Sequence, residues 1–177
     1  MVDIVAPFKA FLKPWEEMKN LKGSLIDGLI YNEIGAVILA VITFLFGSLL
    51  STTQLGGVRM LTGVTSFVIL ILAPIGLLIK STIYYVTAKL FGGKGSFDKQ
   101  TFLFGAVSLP FTIFAIIPII NILAGLWLIV VYFFVLKETH KLSDLKTIAV
   151  ELLPGIVIGI IAAIVIISMI IPSGVLV

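Results

Sequence analysis

Long apolar runs alternate with short polar breaks along this chain, and the breaks set the predicted elements. The first span is expected at residues 34–50, on a helix that starts as early as Ser24. A polar, glycine-bearing segment follows at 51–62, with Arg59 its single charge. The second span is expected at 63–90. It is apolar to Ile79 and continues as a helix past Lys80, Tyr84 and Tyr85. The two tyrosines suit a membrane–water belt, and Pro74 is placed to kink this helix. Next comes Phe-Gly-Gly-Lys-Gly-Ser-Phe-Asp-Lys-Gln at 91–100, the longest break in the second half of the chain. Gly92, Gly93 and Gly95 stop a helix, because glycine caps helix ends without the cost a Cβ incurs. Ser96 then caps the next one.

Residues 101–136 are almost uninterruptedly apolar. As one helix they would be roughly 54 Å long against a hydrocarbon core of about 30 Å, so the stretch must break. Pro118 and Asn121 mark the break. The expectation is two spans, 101–117 and 119–136, joined by a tight turn on the far side of the membrane. A fifth span is expected at 148–171, followed by an uncharged tail at 172–177.

The first 30 residues read differently. Phe8, Phe11, Leu12, Trp15 and Met18 recur at helical spacing with Lys9, Lys13 and Lys19 between them. Pro14, then Glu16 and Glu17, then Lys19 and Lys22 follow the charge order a helix dipole favours, and Gly23 closes the segment. Two readings stand side by side: an amphipathic helix lying on the membrane surface, or a helix packed against the cytosolic ends of the bundle. The division is thus a cytosolic amphipathic segment at 1–30 and a transmembrane domain at 31–177.

Composition agrees with that division. The chain is 60% hydrophobic and 12% charged, where soluble domains carry about 25% charged residues. The runs are rich in Ile, Leu, Val and Phe and do not alternate as barrel strands do. The fold class is an all-α membrane protein: five transmembrane helices with a short amphipathic N-terminal helix. Cysteine is absent, which excludes disulfides and thiolate metal sites. The net charge of +3 comes from scattered lysines, so nucleic acid is not an expected partner. No cleavable signal peptide is evident.

Charge also gives orientation. With five spans, four lysines of the N-terminal segment fall on one side with Lys89, Lys94, Lys99, Lys137, Lys141 and Lys146, and the other side carries Arg59. The positive-inside rule makes the lysine side cytosolic, with the C-terminus outside the cell membrane, or an endomembrane in a eukaryotic source.

Candidate chemistry is sparse. Gly92-Gly93-Lys94-Gly95-Ser96 lacks the phosphate-loop spacing and follows a membrane helix instead of a strand. His140 is the single histidine and reads as a solvated loop residue. A metal site there would need Glu138 and Asp144. Ser143 with Asp144 reads as a cap for the fifth helix. No catalytic residue, metal or cofactor is expected. Glu33, Lys80, Glu138 and Glu151 all fall near the cytosolic interface. They suggest an edge network that fixes helix register, with Lys80 paired to Glu33 or Glu151; a relay through the membrane is the sharper alternative. Gly155, Gly159 and Ala163 form a smooth stripe for close helix approach, within the bundle or across a dimer. Trp127 falls mid-span and is expected to fill the core.

Several motifs together carry a resemblance: Leu90-Phe91-Gly92-Gly93-Lys94-Gly95-Ser96-Phe97, then Gly125-Leu126-Trp127, then Glu138-Thr139-His140-Lys141-Leu142-Ser143. Over roughly residues 74–171 the chain resembles the Ypt-interacting-protein (Yip) domain family, most closely its prokaryotic members. The resemblance implies a five-helix bundle with a cytosolic N-terminus. Its eukaryotic members sit in Golgi and endoplasmic-reticulum membranes, bind Rab-type GTPases and one another, and are linked to vesicle traffic and membrane shape. This sequence lacks an aspartate-leucine-tyrosine-glycine-proline motif and a long N-terminal region, so GTPase binding is not expected. The expected function is a non-enzymatic multi-pass protein that organises membrane shape, trafficking or protein partners, with the lipid bilayer, other membrane proteins or itself as partners. The alternative is a small transporter or channel acting as an oligomer.

Overall fold

The computed structural model describes residues 3–50 and 56–170. Among them are seven helices and no strand: α1 (Val5–Leu12), α2 (Pro14–Glu17) continued by a 3-10 turn (Met18–Asn20), α3 (Leu25–Leu50), α4 (Gly56–Leu90), α5 (Phe97–Ala115), α6 (Pro118–His140) and α7 (Asp144–Ile170). The five long helices cover the segments where spans were expected, with shifted ends. α4 begins at Gly56, so Arg59 lies on the helix and not in the expected loop; α5 and α7 each begin four residues before their expected spans. The tail at 172–177 lies outside the described residues.

The break at Pro118 is where the apolar stretch divides. Ile116 ends α5, Ile117 is extended, and Pro118 opens α6 at the position where a missing N–H costs nothing. Ser96 caps α5 by accepting the Lys99 amide N–H at 3.3 Å. Gly92 takes φ +86°, which ends α4 cheaply only as glycine.

Among the described residues, four helical segments are long and apolar enough to cross a membrane: Leu25–Phe46, Gly63–Leu90, Ile119–His140 and Asp144–Ser168. α5 is the exception, with Asp98, Lys99 and Gln100 in its first turns. It is also the most enclosed helix: residues 100–107, Leu109 and Pro110 are buried. The other helices shield it from lipid, so it need not be as apolar as they are. Their outward faces are lined with exposed Ile, Leu, Val and Phe. This is a multi-pass membrane bundle wrapped around α5.

The tightest packing joins α3 to α5. A Cβ on Gly28 would meet the Phe102 backbone, one on Gly105 would overlap the Gly28 backbone, and one on Gly35 would meet Thr112 and Leu109. The contacts advance together along both helices, so α3 and α5 run in the same direction. Lipid tails are as apolar as Leu, so helix association in a bilayer draws on such close packing more than on hydrophobic burial. The stripe expected to do this lies elsewhere. Gly155 and Gly159 face open space, and the surrounding surface of α7 is exposed. They pack against nothing within the bundle.

The N-terminal segment packs into the bundle and does not lie apart from it. Ala10, Phe11, Met18 and Leu21 are buried in the same core as Phe102 and Leu103. α1 runs along α5: Tyr31, beside Phe102, donates its hydroxyl to the Asp3 carbonyl at 2.9 Å, and Phe11 stacks on Phe114. The bend at Lys13–Pro14 turns the chain back along α6. Trp127 is therefore no simple core filler. It is half-buried, and its indole N–H donates to the Phe11 carbonyl at 2.7 Å.

Candidate functional site

Four helix ends meet at one pole of the bundle. Lys99 near the start of α5 lies 3.6 Å from Glu138 of α6, Lys141 reaches the same carboxylate at 2.6 Å, and Lys137 pairs with Asp144 of α7 at 2.5 Å. Lys146 donates to the Phe91 carbonyl at 3.2 Å, tying α7 to the end of α4. The glycine turn and the loop after α6 thus lie on the same side, as the lysine distribution requires. These pairs are at least partly exposed, where each contributes about 0–1 kcal/mol. Their value is in holding a charged surface in register.

The glycine turn is fitted to the end of α6. Lys94 N–H donates to the His140 carbonyl at 3.1 Å. A Cβ on Gly93 would sit 2.8 Å from both the Ala88 carbonyl oxygen and His140 Nδ1, and one on Gly95 would overlap Thr139. These glycines end a helix, as expected, and they also allow backbone to lie flat on α6.

Beneath the turn lies a buried polar chain. His140 is 1% exposed, so it is not a solvated loop residue. Its Nε2 lies 2.6 Å from Gln100 Oε1, and Gln100 Nε2 donates to the Ser81 carbonyl at 2.7 Å. The Ser81 carbonyl can only accept, which turns the amide of Gln100 toward it and its oxygen toward the ring. His140 therefore carries its proton on Nε2. Tyr85 packs against the ring. The chain links α4, α5 and α6 and makes His140 a structural clasp. No metal-sized group of His, Cys, Asp or Glu forms among the described residues.

The expected edge network divides. Lys80 pairs with neither Glu33 nor Glu151. Its ammonium donates to the Tyr132 hydroxyl at 2.7 Å and lies over the rings of Tyr132 and Phe104, at 4.8 and 5.0 Å. Aromatic faces with a phenol oxygen hold a partly buried cation without a second charge. Glu33 Oε2 is enclosed, with no hydrogen-bond partner among the described residues, beside a cavity lined by Ile30, Ile34, Val37 and Ile38. Glu151 is buried on another side of the bundle, against Tyr84 and Tyr132.

The polar pole also has two shallow recesses. One of about 270 Å3 is lined by Asp3, Asn20, Lys22, Asp27 and Tyr31; another of about 180 Å3 lies between Trp15, Lys19, Lys137 and Glu138. The N-terminal segment supplies one wall of each. Away from this pole the hydroxyls turn inward on their own helices: Ser108 donates to the Gly105 carbonyl and Thr112 to the Ser108 carbonyl.

A family model described as the Yip1 domain matches residues 8–167. No curated protein and no solved structure matches the chain.

Proposed function

Because the chain belongs to the Yip1 domain family, we propose that it is a non-enzymatic membrane scaffold whose working surface is the charged pole of the bundle, facing the cytosol. That surface joins the Pro14–Glu17 helix and its continuation, the glycine turn at 92–99 and the loop at 137–146. The observation that carries this reading is the fitting of the glycine turn onto α6. Ion pairs and the Ser81–Gln100–His140 chain hold the pole rigid, and a preorganised surface loses less entropy when a partner binds. Membrane proteins, a second copy of the chain or the lipid surface are the partner classes that fit.

A transporter would need polar groups at mid-depth to replace lost hydration. The inward-turned hydroxyls of Ser108 and Thr112 do not supply them. The test is reconstitution. Purified protein in liposomes should carry no ion current and no solute flux above empty vesicles. Alanine substitutions at Lys94, Lys137 and Lys146 should weaken co-purification of membrane proteins or lipid without lowering the yield of folded protein. Reproducible flux altered by Thr112→Val would favour the transporter reading instead.

A further inference from the structure

Glu151 is a buried carboxyl group without a partner among the described residues. It is 9% exposed, and no hydrogen bond or ion pair reaches its carboxylate among the described residues. It lines a cavity of about 220 Å3 with Tyr84, Gly125, Leu128, Ile129, Tyr132 and Leu152, between α4, α6 and α7. The nearby cations are all committed elsewhere. Lys80 is held by Tyr132 and Phe104, Lys137 by Asp144, and Lys146 by the Phe91 carbonyl. A carboxylate in an apolar belt is costly unless a cation pairs with it.

We propose that this cavity binds the primary ammonium of a phosphoethanolamine lipid head group, with Glu151 as the anion and the Tyr84 and Tyr132 rings as its walls. Three observations carry the proposal. The two rings stand at 68° with centroids 6.2 Å apart, so they form two sides of an aromatic corner that attracts a cation. The cavity is smaller than the roughly 300–1,000 Å3 of a drug-sized ligand site, so it takes a head group and not a whole soluble molecule. Its rim residues Ile129 and Leu152 are exposed apolar side chains, so it opens toward acyl chains and not toward the charged pole. A primary ammonium donates to the carboxylate and to a phenol oxygen at once; a quaternary one has no N–H to donate.

Native mass spectrometry of the full chain in detergent tests this, with phosphatidylethanolamine, phosphatidylcholine and phosphatidylglycerol of identical acyl chains. The ethanolamine lipid should be retained preferentially. Glu151→Gln should weaken its retention about tenfold, as expected for loss of a charge-assisted bond, while Glu33→Gln leaves it unchanged. Gly125→Val gives a second route. A side chain there meets open space in the fold and fills the cavity, so it should abolish the preference in a folded protein. Soluble phosphoethanolamine at high concentration should displace the lipid; failure to compete while inorganic phosphate succeeds would overturn ammonium recognition. Equal retention of the three lipids, or an ethanolamine preference that survives both Glu151→Gln and Gly125→Val, would also overturn the proposal.

Discussion

Trp127 donates its indole N–H to the carbonyl of Phe11 at 2.7 Å, across 116 residues of sequence. Phe11 lies in the last turn of α1, where helix carbonyls have no intrahelical partner. The indole satisfies one of these orphan groups, and Trp15 packs edge-on against the same ring. One side chain of α6 thus holds both short helices of the N-terminal segment.

The consequence is measurable. Trp127→Phe keeps a ring and loses the donor, so docking of the segment should weaken by about 1 kcal/mol. Tryptic cleavage after Lys9 and Lys19 should speed up about fivefold, while the melting of the bundle barely moves. Unchanged cleavage would mean that burial of Phe11 and Met18 holds the segment by itself.

The α3–α5 contact gives the opposite kind of prediction. Gly105→Ala puts a Cβ into the Gly28 backbone, where no flexible side chain can yield. Overpacking of this kind costs about 1–3 kcal/mol or more, and thermal denaturation in detergent should show it. Gly155→Ala and Gly159→Ala, which face open space, should be neutral or slightly stabilising, since alanine is the better helix former.

The contrast between these glycines shows what the sequence could disclose. A stripe such as Gly155, Gly159 and Ala163 is visible in one helix, but whether a neighbour covers it is not. Gly28 and Gly105 sit on different helices and become a pair only when α3 and α5 align. His140 is similar. Its neighbours in sequence are polar, which suggested solvent; its partners, Gln100 and Ser81, lie 40 and 59 residues away and bury it. Local devices were legible because their physics is local. The Pro118 break, the Ser96 cap and the glycine turn each depend on a few adjacent residues. Lys80 was expected at the interface with a carboxylate, yet aromatic faces and a phenol meet the same need, and a charge count does not reveal them.

Lys80 should behave accordingly. Lys80→Met and Tyr132→Phe should each destabilise the protein, and the double substitution should cost less than the sum by about 0.5 kcal/mol or more, since the two groups touch. Lys80→Met combined with Glu33→Gln should be additive. Coupling to Glu33 instead would restore the ion pair that the charge pattern suggested.

The buried chain at the charged pole should show the same coupling more strongly. Gln100→Leu removes the acceptor of the His140 N–H and the donor to the Ser81 carbonyl together. Leaving buried polar groups unpaired costs about 1–3 kcal/mol for each. His140→Leu alone should also destabilise. The double variant replaces the side-chain pair with apolar groups and should recover part of the loss, because one orphan is removed with its partner. Strictly additive losses would show that water reaches this chain and stands in for the missing groups.

Cysteine labelling reads the orientation of the bundle directly, and the geometry makes the experiment decisive. Ser96 and Ser143 flank the two loops that the Lys99–Glu138 and Lys146–Phe91 contacts bring to one pole. The chain has no native cysteine, so a single cysteine at either position reports alone. Both serines are exposed. In sealed vesicles of known sidedness, cysteines at 96 and 143 should react with an impermeant maleimide from the same face. By the positive-inside rule, the lysine excess predicts that this face is the cytosolic one. A cysteine at Ser173, beyond the described residues, should react from the other face, because α7 leaves this pole and is long enough to cross once. Labelling of 96 and 143 from opposite faces would mean that α5 and α6 do not form a hairpin in the membrane, which the ion pair between Lys99 and Glu138 forbids.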